Sequence, residues 1–458
     1  MPRVGFVNCT ASKGGCTMSE KKTQIIILGG GFGGMYCALE LEKALARGLN
    51  ADVVLVNKEN FFLFTPMLHE VAASDLDITN IVNPVRRLLR RVKFFDGDVE
   101  YIDLTRKRVG VSHGPEHHHH DLDYDHLVVA LGTVTNFYGI PGLEQRALTM
   151  KSLGDAIYLR NKLIENLEVA DFDCCAADRN PLLTIVVAGG GFSGVETIAS
   201  VNDFLRAAIR FYPNLREDML RLVLVHPGAV ILPELGEKLG RYAQEKLKMR
   251  GVEIRGNTKV ASVTERGVKL TDGDCIDTFN IVWTAGTSPN PHLGALPCLK
   301  ERGRVCVNEY LEVADWPGVW SLGDCATVPD LTTGKTCPPT AQHALRQGRV
   351  LAHNIVATIR GGKKKAFRFK TLGAMASIGR RAGVAEVFGF QFSGFVAWWM
   401  WRTIYLSKLP RFEKKFRVAL DWTLDLLFHK DLVQFQTLRT KGVSHKEAEP
   451  PKLEKATE

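Results

Sequence analysis

Two glycine clusters are the residues of this chain best suited to holding a phosphate. Gly29, Gly31 and Gly34 are spaced GxGxxG, and Gly189, Gly191 and Gly194 repeat that spacing far downstream. In such a loop the first glycine makes a tight turn, the second lets backbone amides approach a pyrophosphate, and the third allows the next helix to pack closely. The positive end of that helix stabilises the phosphate charge. Glycine also punctuates ordinary turns, so the spacing gains meaning only from a strand before it and a helix after it.

Both clusters have that context. QIIILGGGFGG at 24–34 is an apolar β-rich run entering the glycines, MYCALELEKAL continues at helical period, and ADVVLVNKEN supplies another strand. LLTIVVAGGGFSGVETIASVNDFL followed by MLRLVLVHPG repeats the unit. The expected fold class is therefore α/β, with two Rossmann-like dinucleotide-binding domains. Two such sites in one chain suggest a bound flavin and a transient nicotinamide, because hydride transfer needs both held face to face. The ribose-reading positions depart from the usual acid. Asn57, with Lys58 and Glu59 beside it, stands in the first unit, and His226 stands in the second. A protonated His226 would favour a 2′-phosphate, yet no arginine adjoins it, so the reading leans to NADH and leaves NADPH open.

Composition narrows the class. The 458 residues exceed one ordinary core, and 45% apolar content fills two or three domains. The 59 Lys and Arg against 50 Asp and Glu give +9, compatible with nucleic acid, an anionic membrane or acidic ligands. Ten scattered cysteines without CxxC or metal-ligand spacing read as reduced thiols of a cytosolic enzyme. No apolar run is long enough for a transmembrane helix. Residues 1–22 read as a disordered leader, with Met18 as an alternative start, and the polar tail 441–458 reads as disordered. The histidine run 117–120 reads as part of a solvated hairpin loop, and no metal is expected. Strands are expected at GVKLTDGD, FNIVWTAGT, VNEYLEV and GVWSLGDCATVPD.

With these residues in view, the chain resembles the type II NADH dehydrogenases, single-subunit, non-proton-pumping NADH:quinone oxidoreductases of the two-dinucleotide-binding-domain flavoproteins. The likeness runs over about residues 23–435. It is carried by GGGFGG at 29, NKENFFLFTPMLHEVA at 57, YDHLVVALG at 124, GGGFSGVE at 189, VWTAGTSPNP at 282, GVWSLGDCA at 318, PPTAQHALRQG at 338 and SIGRRAGVA at 377. The resemblance implies a glutathione-reductase-like pair of domains plus a C-terminal amphipathic membrane-docking region. FAD would lie on Gly29 and Gly31 to Gly34, with Phe32 and Gly33 in that loop, Asn57 and Lys58 at its ribose, Val99 against the adenine, and Asp324 at the ribityl or pyrophosphate region. NADH would lie on Gly189 to Gly194, with His226 and Gly286 also on the cofactor. Glu196 corresponds to the glutamate placed near nicotinamide and flavin, where it helps relay a proton. Its plainer reading is a first-turn carboxylate that complements the helix dipole. Ala341 and Gln342 match the AQ pair at the flavin's pyrimidine edge, Gln347 matches the second glutamine, and a quinone head group would sit there.

The expected organisation is an FAD domain at 23–150 and 311–370, a NAD(P)H domain at 151–310 and a docking region at 371–440. In that region 412–431 places Phe416, Leu420, Leu424 and Leu427 on one face, with Lys414, Arg417, Asp421 and Asp425 opposite. Trp398, Trp399, Trp401 and Trp422 cluster there with Lys408, Arg411, Lys414, Lys415 and Arg417. Interfacial aromatics and basic side chains suit a lipid surface. Packing on the chain's own core or in a homodimer is the competing reading. The implied acceptor is ubiquinone or menaquinone, and the implied place is the cytoplasmic side of a cell inner membrane, held peripherally. Three other classes compete. A disulfide reductase needs a CxxxxC after the first loop, where Cys37 stands alone. A sulfide:quinone oxidoreductase would use Cys174, Cys175, Cys325 or Cys337. A flavin-binding regulatory or DNA-associated protein has only the net charge in its favour, and no nucleic-acid partner is expected.

Overall fold

The structure is a computed structural model that describes residues 21–425, 428 and 432–434. The leader ahead of residue 21, Cys9, Cys16, Met18, Leu427 and the tail 441–458 lie outside the described residues. The described residues divide into two compact units, the first within 21–62, 84–134 and 288–371, the second within 63–83, 135–287 and from 372 onward.

The core of the first unit is a five-stranded parallel sheet. Its strands in spatial order are Val319–Ser321, His126–Val129, Thr23–Leu28, Ala51–Asn57 and Lys93–Asp96. Ile25 to Leu28 and His126 to Val129 are buried, as continuous apolar runs must be when helices or other elements cover both faces of a parallel sheet. The helix Phe32–Ala46 packs against the helix Ala341–Arg360. They approach so closely that a Cβ on Gly348 would overlap the carbonyl oxygen of Gly33. An antiparallel meander, Asp98–Asp103, Arg108–His113 and His118–Asp123, completes the unit.

The second unit repeats the plan. Leu148–Thr149, Asn280–Trp283, Thr184–Ala188, Arg221–Val225 and Val252–Arg255 form a parallel sheet in that spatial order. A meander of Val260–Val263, Gly267–Leu270 and Cys275–Asp277 follows the last sheet strand, as in the first unit. To this the second unit adds a C-terminal meander, Gly373–Ser377, Gly383–Val387 and Phe390–Gly394, and the helices Phe395–Lys408 and Phe412–Leu424. No described helix is long and apolar enough to cross a membrane.

Several expectations change. The chain passes between units at 134–135 and 287–288 rather than at 150 and 310, and the C-terminal region belongs to the second unit rather than standing apart. Residues 288–310 join the first unit because Arg304–Cys306 pairs with Ala326–Thr327. The histidine run is not a loop. The turn ends at His117, and His118 to His120 lie in a strand paired with Arg108–His113. There His119 bonds Glu100 at 2.6 Å and Asp121 at 3.0 Å. VNEYLEV forms no strand, only isolated bridges such as Val307 with Val313.

Candidate functional site

In the first unit the strand Thr23–Leu28 runs directly into Gly29, whose φ of +101° strains any L side chain. A Cβ on Gly34 would overlap the carbonyl oxygen of Gly29, whereas one on Gly31 would meet nothing within 4 Å. Gly31 is the N-cap of the helix Phe32–Ala46 and no side chain caps it. The space beside Gly31 and the uncapped first-turn amides fit a pyrophosphate. The second unit matches: Gly194 has the same close approach to Gly189, Gly191 has open space, and the helix Phe192–Ala208 starts without a side-chain cap.

The ribose-reading residues share a task that sequence did not reveal. Asn57 Oδ1 accepts from Gly30 N at 2.7 Å, and its Nδ2 donates to the Glu59 carbonyl at 2.7 Å. His226 Nδ1 accepts from Gly190 N at 3.2 Å. Each thus pins the middle glycine of its loop. Because Nδ1 is the acceptor, the neutral ring carries its proton on Nε2. Burial holds the imidazole below its usual range, so His226 offers no positive charge to a 2′-phosphate. Arg255, whose carbonyl accepts from His226 N, has its guanidinium engaged by Glu253, Asp272 and Asp274.

The remaining residues of the first unit fall as follows. Asp324 lies half-buried in the short turn Gly323–Cys325 after Val319–Ser321. Gln347 is buried, and its Oε1 accepts from Gly323 N at 2.8 Å, bracing that turn. Ala341 and Gln342 open the helix Ala341–Arg360, half-buried and without a side-chain cap at Thr340. Val99 is half-buried opposite Val111, and Lys58 is exposed. Phe32 packs edge-on against Phe62, 5.1 Å between ring centres. In the second unit, a Cβ on Gly286 would overlap the Tyr138 ring.

Glu196 and His69 are strongly perturbed groups of the second unit. Glu196 does not act as an exposed first-turn carboxylate but is buried. Its Oε1 accepts from Ser377 N at 3.1 Å and from Trp401 Nε1 at 2.9 Å, and its Oε2 lies 3.9 Å from His69 Nε2. Burial pushes the carboxyl up to about 8, against the two hydrogen bonds that pull it down, and Glu70 adds to the rise. Burial likewise pushes His69 down to about 3, so its ring is neutral. His69 Nδ1 lies 2.9 Å from Ser200 Oγ. Next to this pair Glu70 Oε2 accepts from Trp422 Nε1 at 3.1 Å, and the Arg402 guanidinium lies 4.2 Å and 4.6 Å from the ring centres of Trp398 and Trp422.

The tryptophan expectation therefore needs correcting. Trp398, Trp401 and Trp422 are buried and only Trp399 is exposed. Buried indoles need acceptors for their N–H groups, and Glu196 and Glu70 supply two. Lys414, expected on a polar face, is also buried, its Nζ donating to the Thr79 carbonyl at 2.5 Å. The covered row of the helix Phe412–Leu424 is Lys414, Val418 and Trp422. Phe412, Phe416, Leu420 and Leu424, spaced by four, are exposed, as are Phe395, Val396 and Trp399 on Phe395–Lys408. Sequence reasoning missed His69, Glu70, Ser377 and Trp401 as the surroundings of Glu196. The one available signal was the pair His69 and Glu70 inside an otherwise apolar stretch. No described group of histidines, cysteines and acids converges as a metal site.

Comparison with known proteins adds the following. The model of the pyridine nucleotide-disulphide oxidoreductase family matches residues 23–348, and that of the NDH2 C-terminal domain matches 372–431. A probable NADH dehydrogenase of Dictyostelium discoideum is 31% identical over 90% of this chain and 91% of its own. A type II NADH:quinone oxidoreductase of Mycobacterium tuberculosis is 30% identical, covering 89% of each. The solved structure of NDH2 from Plasmodium falciparum in complex with NADH superposes with a TM-score of 0.84 at 20% identity, covering 90% of this chain and 100% of that one.

Proposed function

This chain belongs to the type II NADH dehydrogenases, and on that footing we propose how its residues divide the work of passing electrons from NADH to a quinone. The chemistry supplied by bound FAD is the two-electron exchange between nicotinamide and quinone. The observation that carries the reading is the pair of matched glycine loops, each with open space at its second glycine and an uncapped helix behind it.

The loop from Gly29 to Gly34 binds the FAD pyrophosphate, Asn57 holds that loop in shape, and Asp324 accepts from the flavin's polar chain. Gln347 keeps the Asp324 turn in place through Gly323. Ala341 and Gln342 serve the quinone head group, where an amide donates to a quinone carbonyl without bringing charge into an apolar slot. The loop from Gly189 to Gly194 binds NADH. The neutral ring of His226 and the engagement of Arg255 by Glu253, Asp272 and Asp274 support NADH over NADPH. Glu196 is neutral at pH 7 and holds a proton inside the second unit for the exchange.

A long-tailed quinone is nearly insoluble in water, so the enzyme must meet it at a bilayer. The exposed row Phe412, Phe416, Leu420 and Leu424, with Arg417 exposed beside it, supports a peripheral membrane surface on the second unit. The side proposed is the cytoplasmic face of a cell inner membrane, with ubiquinone or menaquinone as acceptor. A second copy of the chain covering the same row is the competing occupant.

The sulfide-oxidising alternative needs reactive thiols. Cys325 is buried with its Sγ donating to the Val129 and Leu322 carbonyls, and burial pushes Cys337 up to about 11, so neither is a ready nucleophile. Steady-state oxidation of NADH and of NADPH with a short-chain quinone, read beside the flavin spectrum of the purified protein, tests the proposal. Faster turnover of NADH by a flavin-bearing protein is expected, and NADPH oxidised at least as fast would remove the NADH assignment.

A further inference from the structure

The two oxygens of Glu196 have unlike surroundings. Oε1 accepts two N–H groups, Ser377 N and Trp401 Nε1, which leave it little reason to carry a proton. Oε2 has His69 Nε2 at 3.9 Å. That nitrogen is buried and makes no hydrogen bond, and an unsatisfied buried polar atom is costly to keep. A side-chain movement of about 1 Å would bring the two atoms to hydrogen-bond distance. On the other side of the imidazole, Nδ1 is already bonded to Ser200 Oγ, one helical turn beyond Glu196 on the same helix. A hydroxyl can donate or accept, so it tolerates either tautomer of the ring.

We propose that His69 is a positioning residue for Glu196, bonding Oε2 through Nε2 in both protonation states while its tautomer reverses against Ser200. The proposal rests on reading Glu196 as the proton-holding group. With the carboxylate, Nε2–H donates to Oε2 and the Ser200 hydroxyl donates to Nδ1. With the acid, Oε2–H donates to Nε2 and Nδ1–H donates to Ser200 Oγ. Passage from the first state to the second takes up one proton at Nδ1, breaks the Nε2–H bond and forms the Oε2–H bond, with no electron transferred. The imidazole never becomes a resident cation, which accords with its burial.

The other groups around the pair are accounted for. Glu70, from the segment that carries His69, disfavours charge on Glu196 but is itself bonded to Trp422. From the helix Phe395–Lys408 come Trp401 and Tyr405, whose phenol is pushed up by burial and next by Glu196. The strand Gly373–Ser377 presents the Ser377 amide. Arg402 faces Glu70, Asp75 and Asp425.

The test is an infrared pH titration of the purified flavin-bearing protein, following the carboxylic C=O band that Glu196→Gln removes. A charge-assisted bond to the carboxylate is worth more than a neutral bond to the acid. His69→Leu should therefore raise the Glu196 midpoint by about one pH unit, a roughly tenfold gain in proton affinity. Ser200→Ala, which leaves the ring in place but removes the partner of Nδ1 in both states, should shift it by a smaller but resolvable amount. His69→Gln, whose amide can donate to Oε2 or accept from it, should return the midpoint close to that of the parent. An unmoved midpoint in His69→Leu and Ser200→Ala, or failure of His69→Gln to restore it, overturns the proposal. If His69→Leu does not fold, Ser200→Ala decides alone. The titration needs no substrate, so its result stands apart from the assigned reaction. A pH–rate profile with no break at the infrared midpoint would refute the role of Glu196 without touching the bond to His69.

Discussion

Replacing Phe416 and Leu420 together with serine should detach the protein from lipid while leaving its fold intact. Phe416 is 65% exposed and Leu420 46% exposed. Complete burial of such a side chain is worth about 2 kcal/mol, so the exposed parts scale to about 1.3 and 0.9 kcal/mol on entering a membrane interface. Their joint loss of near 2 kcal/mol corresponds to roughly a 40-fold weaker partition onto vesicles. The assay is co-sedimentation with anionic vesicles at fixed lipid, at low and at physiological ionic strength. Thermal stability should hold, because neither side chain belongs to the covered row Lys414, Val418 and Trp422. Unchanged sedimentation with lipid would refute the docking reading. An unchanged partition together with a halved solution mass would assign the row to a second copy of the chain.

Other outcomes follow from the site. Glu196, whose ordinary value of 4.5 is raised to about 8 by burial, makes the folded state hold a proton that the unfolded chain has released. Its contribution to stability is complete below about pH 4.5 and is lost as pH rises through about 8; Glu196→Gln should flatten that part of a melting-temperature profile and remove a break near pH 8 in the turnover profile. Trp401→Phe deletes a hydrogen bond to that carboxyl and should cost about 1–3 kcal/mol in a denaturant titration, since the acceptor is buried. His226→Arg should raise the NADPH to NADH turnover ratio at least tenfold by supplying the missing cation, and an unchanged ratio would place the 2′-hydroxyl elsewhere. Gly191→Ala, where the new Cβ meets no protein atom, should fold normally yet raise the KM for NADH several-fold; unaltered KM would mean that no phosphate approaches that glycine.

The two βαβ units were legible because each is written in local signals: an apolar strand, a glycine turn and a helix at 3.6-residue period. The family was legible from the order of eight short motifs, and the comparisons agree with it. The assembly was not. That residues 63–83 join the second unit depends on contacts with segments remote in sequence, which periodicity does not encode. The helix Phe412–Leu424 shows a sharper limit. Two rows at four-residue spacing run along it, one with Phe416, Leu420 and Leu424, the other with Lys414, Val418 and Trp422. Hydrophobicity favours covering the first row, yet the second is covered because Trp422 finds Glu70 and Lys414 finds the Thr79 carbonyl. The surroundings of Glu196 were hidden for the same reason, since His69, Ser377 and Trp401 reach it from three separate parts of the chain. The aromatic stretch before Arg402 thus has a double character, with Trp401 serving a buried carboxyl group and Trp399 facing outward.

In the proposed reaction one bound flavin takes electrons from NADH and yields them to a quinone. Anaerobic stopped-flow mixing tests it most directly: the purified protein is mixed with NADH, then with a short-chain quinone, and the flavin absorbance is followed. Loss of the oxidised flavin band on the first mixing and its return on the second, each at least as fast as steady-state turnover, is the predicted result. A band that NADH leaves unchanged, or one that quinone does not restore within the turnover time, would contradict the account.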